Sequence, residues 1–176
     1  AEILESKDIL EILPLITKGA LSKLSSIGKN SGETIKVIQV IAQSLTESLK
    51  GKSNFFSKNL IKSGEDLQAA ALNTISSYSV AYLDEAGLSV SDTGIASSEI
   101  LAAMISSFKE AGISSFQLGE VLKKMTMGSI DSLDQISGMK LSDAFAIVKK
   151  ISSNSVGAFD HITVSGYTTD NISFLA

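Results

Sequence analysis

A chain of 176 residues with 44% hydrophobic and 19% charged side chains can bury a real core and is too apolar for intrinsic disorder. Every basic residue is Lys, none is Arg, and the formal net charge is -4; lacking the planar fork that grips phosphate and base edges, the chain is a poor candidate for a nucleic-acid partner. Cys is absent, which excludes a disulfide framework and a thiolate metal site.

No stretch approaches the roughly 18 apolar residues of a membrane span, so no transmembrane segment is expected. The opening Ala1-Glu2-Ile3-Leu4 has neither a basic leader nor a signal-like apolar run. The chain is therefore expected to be cytosolic or a piece of a longer protein.

Apolar residues first recur at helical spacing from Lys7 to Ile27, through Ile9, Ile12, Leu13, Ile16, Leu21 and Leu24. Pro14, the single proline, is expected to start a new helix or kink this one, and Gly28 to stop it. Asn30 with Glu33 forms a cap signature for a second helix along Ile35, Ile38, Ile41, Ala42, Leu45 and Leu49. A basic connection from Lys50 to Lys62 carries Phe55 and Phe56. The third helix is expected to open at Ser63-Gly64-Glu65-Asp66 and stop at Ala86-Gly87. The fourth starts near Ser97 or Ser98 and stops at Ala111-Gly112, and the fifth starts at Ser114 or Ser115. Helical turns follow around Ile130 to Ile136, and a last helix runs from about Leu141 to Ser153. Beyond Gly157, His161-Ile162-Thr163-Val164-Ser165 and Asn171-Ile172-Ser173-Phe174-Leu175 read as extended chain.

The resulting expectation is an all-α, compact orthogonal bundle of about five to seven short helices over residues 1–156, with 157–176 as an extended tail or inter-unit linker. Ile38, Ile41, Leu72, Ile75, Ile105, Phe108, Leu122 and Val148 are its predicted core. Two segments echo one another: Ile75-Ser76-Ser77-Tyr78 before Glu85-Ala86-Gly87-Leu88-Ser89, and Ile105-Ser106-Ser107-Phe108 before Glu110-Ala111-Gly112-Ile113-Ser114. Shared helix-ending chemistry is enough to explain the echo.

Roughly one residue in six is Ser, often in pairs such as Ser76-Ser77 and Ser97-Ser98. Serine competes with the helical backbone for hydrogen bonds, so its presence inside apolar-periodic segments calls for a reason.

Groups that carry chemistry are sparse. The one histidine, His161, stands beside Asp160 in the least regular stretch, with no second His to complete a catalytic or zinc arrangement. Glu65-Asp66, Asp84-Glu85, Asp131 and Asp134 read as solvated surface, and the glycines form no phosphate loop. No cofactor or metal is implied, and no enzymatic activity is expected. The candidate contact surface is the basic connection, with Lys52, Lys58 and Lys62 around Phe55 and Phe56; it suits an acidic partner or an anionic membrane, although two inward phenylalanines among solvated lysines is the more ordinary reading of such a stretch. Met125, Met127 and Met139 could line an adaptable groove or simply fill core. Asn171-Ile172-Ser173 is a glycosylation sequon.

The run from Ser97 to Ile113, SSEILAAMISSFKEAGI, continued by Leu118-Gly119-Glu120-Val121-Leu122, resembles the helix–Ala-Gly–turn segment in repeat units of spider silk proteins of the egg-case and wrapping-silk kinds. The chain is richer in Lys and Ile, and poorer in Ala and Gln, than that pattern. The resemblance implies a non-catalytic, extracellular unit of a secreted fibre protein, associating with identical or neighbouring units and partly converting from helix to β-structure. A helical binding or adaptor domain of a secreted or surface protein is the alternative reading.

Overall fold

A computed structural model describes residues 6–27, 30–50, 67–114 and 117–164. Among these residues it is all helical, with seven α-helices. Helix α1 spans Ser6–Leu24 and tightens into a 3-10 turn at Ser25–Ile27. It continues through Pro14 instead of restarting there. Leu13, Thr17, Leu21 and Leu24 form its buried stripe, and the Thr17 hydroxyl donates to the Leu13 carbonyl at 2.9 Å. Gly19 lies on the open side, where a Cβ would meet nothing within 4 Å. Gly19→Ala should therefore stabilise the fold by about 0.5–1 kcal/mol, since glycine gives up most backbone entropy in a helix. Chemical denaturation would show this as a higher midpoint at unchanged slope.

Helix α2 (Ser31–Glu47) starts where the cap signature places it. Asn30 is extended, and its side-chain oxygen accepts from the Glu33 amide at 2.9 Å. Helix α3 spans Leu67–Ala81 and α4 spans Val90–Ser106. The latter begins well before Ser97: Ser89 is its cap, accepting from the Asp92 amide. Ser97 and Ser98 are buried mid-helix instead of opening one. The short α5 (Phe108–Ala111) and α6 (Leu118–Asp131) follow, then a 3-10 turn at Leu133–Gln135. Helix α7 spans Leu141–Val164, so helical backbone continues past residue 156, where an extended tail was expected. The β-branched run Ile162-Thr163-Val164 suggests a strand, but such propensity is a weak prior. Residues 165–176 lie outside the described residues.

The sequence echo has a structural cause. Gly87 and Gly112 both adopt a left-handed conformation (φ 85° and 75°). The following amides reach back by the same step, Leu88 to the Leu83 carbonyl and Ile113 to the Phe108 carbonyl, both at 3.0 Å. Helix α3 ends at Ala81, earlier than the expected stop at Ala86-Gly87, and a hydrogen-bonded turn carries the chain on to Gly87; that turn and the end of α5 are thus closed by the same glycine motif, with the apolar residue after each glycine buried. After the first, Ser89 caps the next helix with Asp92; after the second, the Ser114 amide donates to the Gln117 side-chain oxygen at 3.0 Å, and α6 starts only at Leu118, later than the expected Ser114 or Ser115.

Helix contacts arrange the chain in two layers, α1–α3–α6 and α2–α4–α7, with α3 and α4 in the middle. Successive long helices alternate between the layers. Partners along α2 and α4 advance together (Ser31 with Asp92, Gln39 with Glu99, Glu47 with Ser107), so these helices run parallel. The same holds for α3 and α6, through Gln68 with Gln117, Asn73 with Lys124 and Ser77 with Ser132. The fold is therefore a stack of three helix pairs: α1/α2, α3/α4 and α6/α7. A central helix needs apolar or small residues all round, and α3 and α4 are accordingly the least amphipathic of the long helices. Ile38, Leu72, Ile75, Ile105 and Phe108 are buried, while Ile41, Leu122 and Val148 are partly buried against them.

Candidate functional site

Lys52, Phe55, Phe56, Lys58 and Lys62 lie outside the described residues, as do Glu65, Asp66 and Asn171. Asp160 and His161 occupy positions near the end of α7. Asp84 holds two turns together. Its carboxylate accepts from the Glu85 amide at 2.8 Å and from the Ser137 amide at 3.1 Å, tying the turn after α3 to the one before α7. Glu85 pairs with Lys18 at 3.7 Å on the surface, and the same ammonium sits 5.0 Å from the centre of the Tyr82 ring. The methionines do not converge on a groove: Met125 is buried, Met139 is packed against the core, and Met127 is exposed on α6.

Two features stand out that pattern reading missed. The first is a polar seam between α3 and α6. Asn73 donates its side-chain amide to the Lys124 carbonyl at 2.6 Å, and the Ser76 hydroxyl lies 2.9 Å from the Asn73 carbonyl and 3.1 Å from that of Met125. Ser77 and Ser132 share a hydrogen bond of 2.5 Å, and Ser132 also reaches the Gly128 carbonyl at 2.6 Å. Opposite Asn73 stands Gly128, where a Cβ would fall 2.8 Å from the Asn73 carbonyl oxygen. Small residues let these two helices approach until side chains on one bond the backbone of the other, as in closely packed helix pairs generally.

The second feature is an open cleft of about 350 Å³ between the start of α4 and α7, lined by Val90, Ser91, Gly94, Asp143, Ala146, Ile147 and Lys150. Its floor is narrow at Gly94, where a Cβ would meet Ile147 Cγ1 at 3.3 Å and Lys150 Cδ at 3.4 Å. Asp143 and Lys150 are seven residues apart on one helix, hence on one face and about 10 Å apart along the axis. The cleft can cradle a small apolar group between a carboxylate and an ammonium.

Among the described residues no group of three or more His, Cys, Asp or Glu could hold a metal ion, and no helix is long and apolar enough to cross a membrane. No protein-family model matches the chain, and no curated protein matches it.

Proposed function

We propose that this chain is a structural, non-catalytic module of a secreted fibre-forming protein, a soluble helical unit that self-assembles. The observation that supports this most is where its serines sit. Ser76, Ser79, Ser97, Ser98, Ser129 and Ser132 are buried on α3, α4 and α6 or in the turn after α6. The hydroxyls of Ser79, Ser97 and Ser129 find no hydrogen-bond partner among the described residues. A buried hydroxyl without a partner costs about 1–3 kcal/mol, so serine destabilises the helical form at these sites relative to alanine. That choice makes physical sense in a chain that must also pack in a second, extended arrangement, where small uncharged side chains pair well between sheets.

The reading is tested by sequencing the transcript on both sides of this segment. Near-identical copies in tandem are expected, and shear applied to a concentrated solution should then move the amide I band from helix to sheet. A single copy beside unrelated domains would overturn the fibre reading. Weight would then pass to the adaptor alternative, for which the cleft between α4 and α7 is the supporting feature.

A further inference from the structure

We infer that the cleft between α4 and α7 is a binding site for a small linear zwitterion, a molecule with an ammonium and a carboxylate at opposite ends of a short aliphatic chain. The site is independent of the fibre reading, since a tandem unit and a single-copy domain can hold it equally well.

Two charges at this cleft are left unanswered by the fold. Asp143 stands in the first turn of α7 and Lys150 two turns further on, and both border the cleft. Seven residues return the helix to the same face, about 10 Å along its axis. The two charges do not pair with each other, and neither side chain has another ion-pair or hydrogen-bond partner among the described residues. Asp92, the carboxylate at the start of α4, is by contrast engaged: it accepts from the Ser31 and Ser89 hydroxyls at 3.0 and 2.8 Å.

Between the two charges the surface is apolar. Gly94 and Ile147 are buried and form the floor, and half-buried Val90 and exposed Ala146 complete the walls. A Cβ at Gly94 would meet Ile147 Cγ1 at 3.3 Å and Lys150 Cδ at 3.4 Å. The aliphatic stem of Lys150 therefore lies along the floor while the residue as a whole stays exposed, which puts its ammonium at the rim. At about 350 Å³ the cleft is at the small end of the range for ligand pockets.

Such an arrangement selects ligands by sign. A diamine meets Lys150 with like charge, a dicarboxylate meets Asp143 in the same way, and a plain fatty acid or alkylamine leaves one end unanswered. A zwitterion satisfies both ends. At about 1.3 Å of extension per bond, a chain of about five methylene groups separates its charges by roughly 8 Å, close to the spacing of the two residues along α7. Lys150 is exposed and Asp143 only half-buried, so each ionic contact is weak and binding in the millimolar range is expected.

Titration of the whole chain with 6-aminohexanoate, followed by amide nuclear magnetic resonance, tests this. Shifts should concentrate at Val90, Gly94, Asp143 and Ile147. Hexanoate and hexylamine should bind more weakly by about two- to fivefold, the worth of one exposed ion pair. Asp143→Asn and Lys150→Gln should each weaken 6-aminohexanoate by a similar factor. Ala146→Phe, at an exposed position, should close the cleft to all three compounds and leave the helical circular dichroism unchanged. Exchanging the charges, Asp143→Lys with Lys150→Asp, should restore binding, because a zwitterion fits in either direction. A peptide ending in lysine carries the same pair of charges. If it binds and its amidated form does not, the natural ligand is a protein terminus; if it fails where 6-aminohexanoate binds, the ligand is a free small molecule. Equal binding of hexanoate, hexylamine and the zwitterion would overturn the inference, since the cleft would then read apolar surface alone. So would the absence of shifts at these residues up to about 50 mM, well above the dissociation constant of a millimolar site.

Discussion

Phe108→Ala should lower the stability of the folded chain by about 3–5 kcal/mol, the usual cost of emptying a fully buried aromatic site. Phe108 is completely inaccessible and heads the largest fully buried side chains. It opens the four-residue α5, too short to persist by propensity, so the ring is what docks this turn onto the core. Its carbonyl also receives the Ile113 amide that closes the helix end. A void there would therefore loosen the entry to α6 as well. At about 2–4 °C per kcal/mol for a chain of this size, the midpoint of thermal unfolding should fall by roughly 6–20 °C. Phe145→Ala is the control: that ring is mostly exposed, and its removal should stay within about 0.5 kcal/mol. Similar losses for the two variants would show that Phe108 is not the anchor described.

Gly128→Ala should destabilise by about 1–3 kcal/mol, although alanine is the better helix former. Two effects compete. Replacing a mid-helix glycine gains about 0.8–1 kcal/mol in helix propensity. Against this, the new Cβ would stand 2.8 Å from the Asn73 carbonyl oxygen and 2.9 Å from its side-chain nitrogen. Backbone cannot swing aside as a flexible side chain does, so α3 and α6 must separate, an overpacking cost of about 1–3 kcal/mol. Separation also strains the Asn73 bond to the Lys124 carbonyl and the Ser76 bond to that of Met125, each worth about 1 kcal/mol. The steric term and the bonds together outweigh the propensity gain. The opposite sign expected for Gly19→Ala makes the pair decisive in urea denaturation. A stabilising Gly128→Ala would mean that the close approach of α3 and α6 is absent in solution.

Much of the helical organisation was legible in the residues. Helix α2 was placed by Asn30 and Glu33 together with an apolar stripe of helical period, all local signals. Glycine after an apolar run marked the end of α5 at Gly112, because only glycine enters the left-handed conformation cheaply, whereas α3 ends at Ala81, before the turn that Gly87 closes. The echo around those two glycines was correctly attributable to helix-ending chemistry. Serine is where local reading failed. Ser97 and Ser98 look like the start of a helix, because an isolated helix would place serine at its cap, and the true cap, Ser89, lies in a less apolar stretch. Likewise the β-branched end of α7 carries an extended signal that the backbone does not follow.

The candidate contact residues Lys52, Phe55, Phe56, Lys58 and Lys62 fall outside the described residues. Periodicity shows that a helix has an apolar side, but not how many neighbours it has. The sequence by itself determined the all-helical class, the starts of α2 and α7 and much of the core, because capping and amphipathic spacing act within a few residues. Only the tertiary structure decided that α3 and α4 are central and that Gly128 stands against Asn73. It alone decided, too, that apolar residues remain exposed on both outer pairs. Each of these depends on contacts between residues some 50 to 60 positions apart, as in Asn73 with Lys124 and Gln39 with Glu99. At that separation it is packing, and no local preference, that selects the partner.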